Sequence, residues 1–173
     1  MPDVNIVHNV QRFRQPDNYS CWAACIAMQQ ATAGKAVNGV QSVVQRASQA
    51  GVASQPNGAL DMSRANMNCL QAAFGMNIMT NAGTVFINNL EPFLVRAPLI
   101  LFGAFIYADR ITPMNHAIVV SEMWGDRTDS TGITIIDPWV TKEGGDGSMD
   151  IVRSWGQLSK TGVARLDYVG ALR

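Results

Sequence analysis

The chain has 173 residues, 47% of them hydrophobic, enough to bury one substantial core and in keeping with a single folding unit over residues 1–173. Thirteen basic residues balance thirteen acidic ones, so no overall field draws the protein to nucleic acid or to an anionic membrane. Three cysteines, Cys21, Cys25 and Cys69, are too few for the disulfide framework of a small secreted domain, and at least one is a free thiol in any monomer.

In chain order, the opening stretch MPDVNIVHNVQRFRQ lacks the basic start, apolar run and small-residue cleavage site of a secretory signal. The expectation is synthesis in the cytoplasm without a signal peptide. Arg12 and Arg14 flank Phe13, and two charges on such an arm read as solvated rather than as a recognition patch. From Tyr19 to Ala33 the sequence YSCWAACIAMQQATA is alanine-rich, with apolar residues at three- and four-residue steps, which predicts a helix. Asn18 and Ser20 are candidate caps and Gly34 a candidate stop. Further helices are expected over Gly39–Ala50, where Val40, Val43, Val44 and Ala47 form one stripe, and over Met62–Phe74. Met28, Met62, Met67 and Met76 sit at positions a core uses, so core filling is their default role.

Beyond Gly75 the pattern alternates weakly over Asn77–Phe86, and Leu90–Val95 reads as a short helix. Strands then dominate: Leu99–Tyr107, Ala117–Met123 and Gly132–Ile136 are rich in β-branched and aromatic residues, with Gly125, Asp126 and Asp129 as turn formers. The apolar run Ala97–Ala108 falls short of the ~20 residues that cross a bilayer and reads as a buried strand. Lys142–Ser148 (KEGGDGS) reads as a surface loop, and Val163–Leu172 as one more strand. Helices first and an antiparallel sheet afterwards is the order of an α+β domain.

The chemistry centres on Cys21. A thiol is a weak nucleophile until deprotonated, and the unpaired N–H groups of a helix start favour the thiolate. It needs a base, and the chain offers two histidines. His116 stands where Asn115 leads into the apolar run Ala117–Val120, so a strand can hold its ring at the sheet edge; His8 has no such setting and reads as a surface or packing residue. Asp137 closes Ile133–Ile136 and is followed by Pro138 and Trp139. A carboxylate there can accept the second imidazole N–H and fix the tautomer. Gln15, shortly before Cys21, can supply a side-chain amide to an oxyanion hole. Cys21 and Cys25 share one helix face, but with two histidines and no second cysteine pair a structural zinc site is not expected, and no organic cofactor is called for. Alone, a cysteine followed by tryptophan on an alanine-rich helix is more often core than nucleophile, and Cys25 and Cys69 read as inert core residues.

Together these residues resemble the papain-like cysteine proteases. Gln15 to Ala23 (QPDNYSCWA) matches that family's glutamine, five-residue gap and Ser-Cys-Trp-Ala; Asn115-His116-Ala117 matches its histidine motif; and Asp137-Pro138-Trp139 stands where the family has Asn or Asp followed shortly by Trp. The likeness is closest to a compact bacterial branch that includes secreted effector proteases and the peptidase domains of bacteriocin exporters. It implies a helical lobe followed by an antiparallel sheet lobe with the active site in the cleft between them; Cys21, His116 and Asp137 as the triad; Gln15 in the oxyanion hole; and Trp139, with Trp22, shielding the site or simply filling the core. It also implies a protein or peptide substrate cut at a peptide or isopeptide bond, an effector or toxin exported by a specialised route, and an immunity or inhibitor protein that occludes the cleft. A peptidoglycan amidase or an idle, binding-only papain fold are the alternatives. Two departures stand out. Asn18 and Tyr19 replace the family's Cys-Gly, which removes its local disulfide, and His116 follows Cys21 more closely than the ~130–150 residues of larger papain enzymes, so cleft specificity does not carry over.

Overall fold

The computed structural model describes residues 3–56, 58–80, 87–107, 110–111, 116–139, 149–158 and 163–173. In chain order the elements are β1 (Val4–Val7), α1 (Cys21–Thr32), α2 (Val40–Gln49), α3 (Arg64–Phe74), β2 (Met76–Thr80), α4 (Ile87–Leu94), β3 (Leu99–Tyr107), β4 (Arg110–Ile111), β5 (His116–Gly125), β6 (Gly132–Asp137), β7 (Met149–Ser154), α5 (Trp155–Gln157) and β8 (Val163–Leu172). The three leading helices, β3, β5, β6 and β8 fall where the sequence predicts them. The short helix expected over Leu90–Val95 is longer at its start, and β1, β4, β7 and α5 were not predicted. Asn115 and the expected Lys142–Ser148 loop lie outside the described residues.

Among the described residues all strand pairings are antiparallel, in the order β2-β8-β3-β5-β6-β7, with β1 continuing along β5 beyond the stretch that β3 covers. Helix α1 is buried from Cys21 to Gln30 without a break, as its lack of a polar face requires of a stable helix. It is wrapped on one side by α2 and α3, through Val43, Ala47, Met67 and Leu70, and on the other by one face of the sheet, through Ile100, Phe102, Ala117, Val119 and Ile136. The opposite sheet face carries Leu101, Phe105, Ile118, Val120, Ile133 and Ile135, covered by Leu90, Leu94 and Trp155. The two-residue alternation of a strand thus divides one sheet between two cores.

Gln29 helps to fasten α1 to the sheet. The Nε2 of buried Gln29 donates to Pro98 O at 2.6 Å and to Gly170 O at 3.1 Å, tying the helix to β8 and to the entry of β3. Helix α3 is conventionally capped: the Ser63 hydroxyl accepts from Asn66 N–H, and Gly75, in the left-handed region at φ 64°, closes its far end. Ser20 takes the N-cap position of α1, but its side chain makes no capping hydrogen bond.

Candidate active site

Cys21 is the first residue of α1, and its neighbourhood is built by the strand beneath. Backbone N–H groups of Ala117 and Trp22 point at its sulfur, so the first residues of β5 are brought against the start of the helix. His116 opens β5 and lies opposite Gly103 of β3 in the register. Because β5 pairs along its length with β3, β1 and β6, the backbone carrying the ring cannot relax independently of the sheet.

Asp137 ends the neighbouring strand β6. His116 Nε2 lies 2.9 Å from Asp137 Oδ1, with both side chains almost wholly enclosed, at 2% and 0% exposure. Nε2–H therefore donates to the carboxylate, which assigns the other ring nitrogen, Nδ1, to any partner on the helix side. The same Oδ1 accepts the backbone N–H of Trp139 at 2.8 Å. The indole of Trp139 sits edge-on to the imidazole at 6.0 Å between centroids, and Phe105 edge-on at 6.4 Å. Both rings thus pack against the imidazole of the buried His116–Asp137 pair.

Gln15 is buried and reaches this group through its main chain: its N–H donates to Pro138 O at 3.3 Å. Its side-chain Nε2 donates to Asp17 O at 2.6 Å, while its Oε1 is buried with no hydrogen-bond partner among the described residues. An amide nitrogen carries two protons, so one N–H is held by Asp17 O and the second has its direction set. Trp22 does not join these residues. It lies in the core around α1 and lines a cavity on the helical side. His8, as expected of a packing residue, binds the carbonyl of Leu94 between β1 and α4. Cys25 is wholly buried beneath α1 and Cys69 partly so.

The electrostatics are set by burial. The Cys21 thiol, ordinarily at 9.0, is pushed up to about 12, because desolvation outweighs the three N–H groups that favour the thiolate, and the nearby Asp137 charge adds to the rise. Asp137, ordinarily at 3.8, is raised by burial to about 7 against the pull of the Trp139 N–H. Burial thus disfavours both charges, the thiolate far more than the carboxylate. A thiolate in this pocket requires a compensating positive charge beside it. The backbone donors of Ala117 and Trp22 and the Gln15–Pro138 bond were not foreseen from the sequence. Every residue carries such groups, so no residue type signals them.

No protein-family model matches the sequence, and no curated protein matches it. The structure is similar to the crystal structure of a double glycine motif protease from an AMS/PCAT transporter in complex with the leader peptide. The likeness covers 98% of this chain and 99% of that one, with a TM-score of 0.55 and 14% sequence identity. It shows the α+β papain-like fold, helices set against an antiparallel sheet.

Proposed function

We propose that the chain is a thiol hydrolase that cleaves peptide or isopeptide bonds, with Cys21 as nucleophile, His116 as general base and acid, Asp137 as the orienting carboxylate and Gln15 as oxyanion donor. The observation that carries this reading is the buried His116 Nε2–Asp137 Oδ1 bond at 2.9 Å, at the end of two strands whose next backbone donor, Ala117 N–H, points at the Cys21 sulfur. That arrangement commits the imidazole to one tautomer and leaves Nδ1 for the thiol. The likeness to a protease solved with a leader peptide supports a peptide as the substrate class.

The steps follow from the residues. Cys21 passes its proton to His116 Nδ1 and attacks the scissile carbonyl carbon. The oxyanion that forms takes the Cys21 backbone N–H and the free N–H of Gln15. His116 returns the proton to the departing amine, leaving an acyl-thioester, and a water activated by the same imidazole then hydrolyses it. The setting carried over from the sequence resemblance is a bacterial effector or toxin, made in the cytoplasm and exported, with an immunity protein covering the cleft in the producing cell.

The test is the pH dependence of alkylation at Cys21, read by intact mass and peptide mapping in wild type and His116→Ala. Wild type is expected to react at Cys21 faster than at Cys25 or Cys69 and well below pH ~8.5, the ordinary thiol value. In His116→Ala no imidazolium offsets burial, and reaction is expected only towards pH 12. Identical profiles for the two proteins would sink the proposal.

A further inference from the structure

Ser20 and Trp22, the two chain neighbours of Cys21, line a cavity of about 300 Å³ on the flank made by α2 and the chain that follows it, and the proposed chemistry leaves that cavity unused. Its floor is apolar: Trp22, Ala47 and Leu60 are buried, and Val52 is half-buried. Ser48, an exposed residue of α2, stands at its rim. Ser20, adjacent to the nucleophile, also lines it and is itself 5% exposed, with its hydroxyl buried and without a hydrogen-bond partner among the described residues. A buried hydroxyl left unpaired carries a desolvation cost that a ligand can relieve. Ser20 has no structural employment to explain it, since its side chain does not cap α1.

We infer that this cavity receives the substrate side chain on the acyl side of the scissile bond and selects a bulky residue with an apolar body and a hydrogen-bonding tip, tyrosine above all. The inference rests on the thiol-hydrolase reading, since it places the scissile carbonyl at Cys21. The argument is one of complementarity. A large side chain displaces water from the Trp22–Leu60 floor, and its polar tip supplies the partner that Ser20 Oγ lacks. Glycine or alanine in the same place leaves the floor wet and the hydroxyl unpaired, and a pocket built to bond a hydroxyl discriminates against an analogue that lacks it.

The experiment uses peptidyl acyloxymethyl ketones that differ only in the residue next to the reactive ketone: glycine, alanine, leucine, phenylalanine or tyrosine. The thiolate forms an S–C bond at the methylene and the acyloxy group leaves as a carboxylate, so the rate of mass gain at Cys21 reads recognition directly. In wild type, the tyrosyl and phenylalanyl compounds are expected to react at least about tenfold faster than the glycyl one, with tyrosyl ahead of phenylalanyl. Ser20→Ala removes no capping bond and is expected to level tyrosyl with phenylalanyl. Ser48→Phe fills the cavity from its exposed rim and is expected to pull both down towards the glycyl rate. Equal rates across the series in wild type, a glycyl compound that reacts fastest, or a tyrosyl preference untouched by Ser20→Ala overturns the inference while leaving the thiol-hydrolase reading standing. Failure of every compound to label Cys21 overturns that reading, and the inference with it.

Discussion

The carboxylate of Asp137 accepts from His116 Nε2–H and from Trp139 N–H, yet burial still lifts it from 3.8 to about 7. The folded state therefore holds this proton more tightly than the unfolded chain does, and linkage fixes the sign. As pH rises from about 4 to about 7 the unfolded carboxyl ionises first, so stability falls across that window and levels off above it. Asp137→Asn keeps an acceptor for both donors but removes the buried charge. The variant is expected to lose this slope and to be more stable than wild type at pH 8 by about 1–3 kcal/mol, while its Cys21 alkylation at neutral pH slows because the imidazolium has lost its counter-charge. Urea titrations at pH 5, 6, 7 and 8 check it; a variant with the wild-type slope, or one less stable at pH 8, contradicts the assignment. At this scale the sequence was readable wherever a side chain carries the chemistry. Cys21, His116, Asp137 and Trp139 are the residue types the proposed reaction calls for; His116, Asp137 and Trp139 lie in contact, and Ala117 N–H reaches the Cys21 sulfur. It was unreadable where backbone groups act, and it misjudged Ser20, whose hydroxyl the cap pattern assigned to α1.

At the scale of elements, the register that places His116 depends on a close approach further along the sheet. A Cβ on Gly103, the partner of His116 across β3 and β5, would lie 2.0 Å from Arg165 O of β8. The pairing of β3 with β8 shifts register between Phe102 and Gly103, and only glycine admits that approach. Gly103→Ala is expected to destabilise the protein by about 1–3 kcal/mol, as overpacking does, and to slow Cys21 alkylation as β5 is displaced. An unchanged urea midpoint would show that the strands can separate freely. The elements that were missed share a physical character. β1 and β7 each have one strand partner, and β2, seen only as weak alternation, is likewise an edge. Such strands take their regularity from one neighbour rather than from a two-faced apolar pattern. The interior strands β3, β5, β6 and β8, buried through long stretches, carry the β-branched and apolar runs that made them legible.

At the scale of the whole molecule, β8 lies between β2 and β3, joined along both of its edges. It also supplies Gly170 O to Gln29, which helps to pin α1. Deleting Val163–Arg173 is therefore expected to split the sheet rather than fray its margin. Cooperative thermal unfolding, followed by circular dichroism, should vanish, and all three thiols should react at one rate. A truncated chain that unfolds cooperatively and still singles out Cys21 would contradict this.

The same placement orders events during synthesis. The ribosome makes α1, with its cysteine, well before β8, at about 5–20 residues per second, but α1 cannot be seated until β8 has emerged to fill the gap in the sheet. Until β8 has emerged Cys21 is an ordinary thiol on an undocked helix, and its surroundings are completed by a strand translated more than a hundred residues after it.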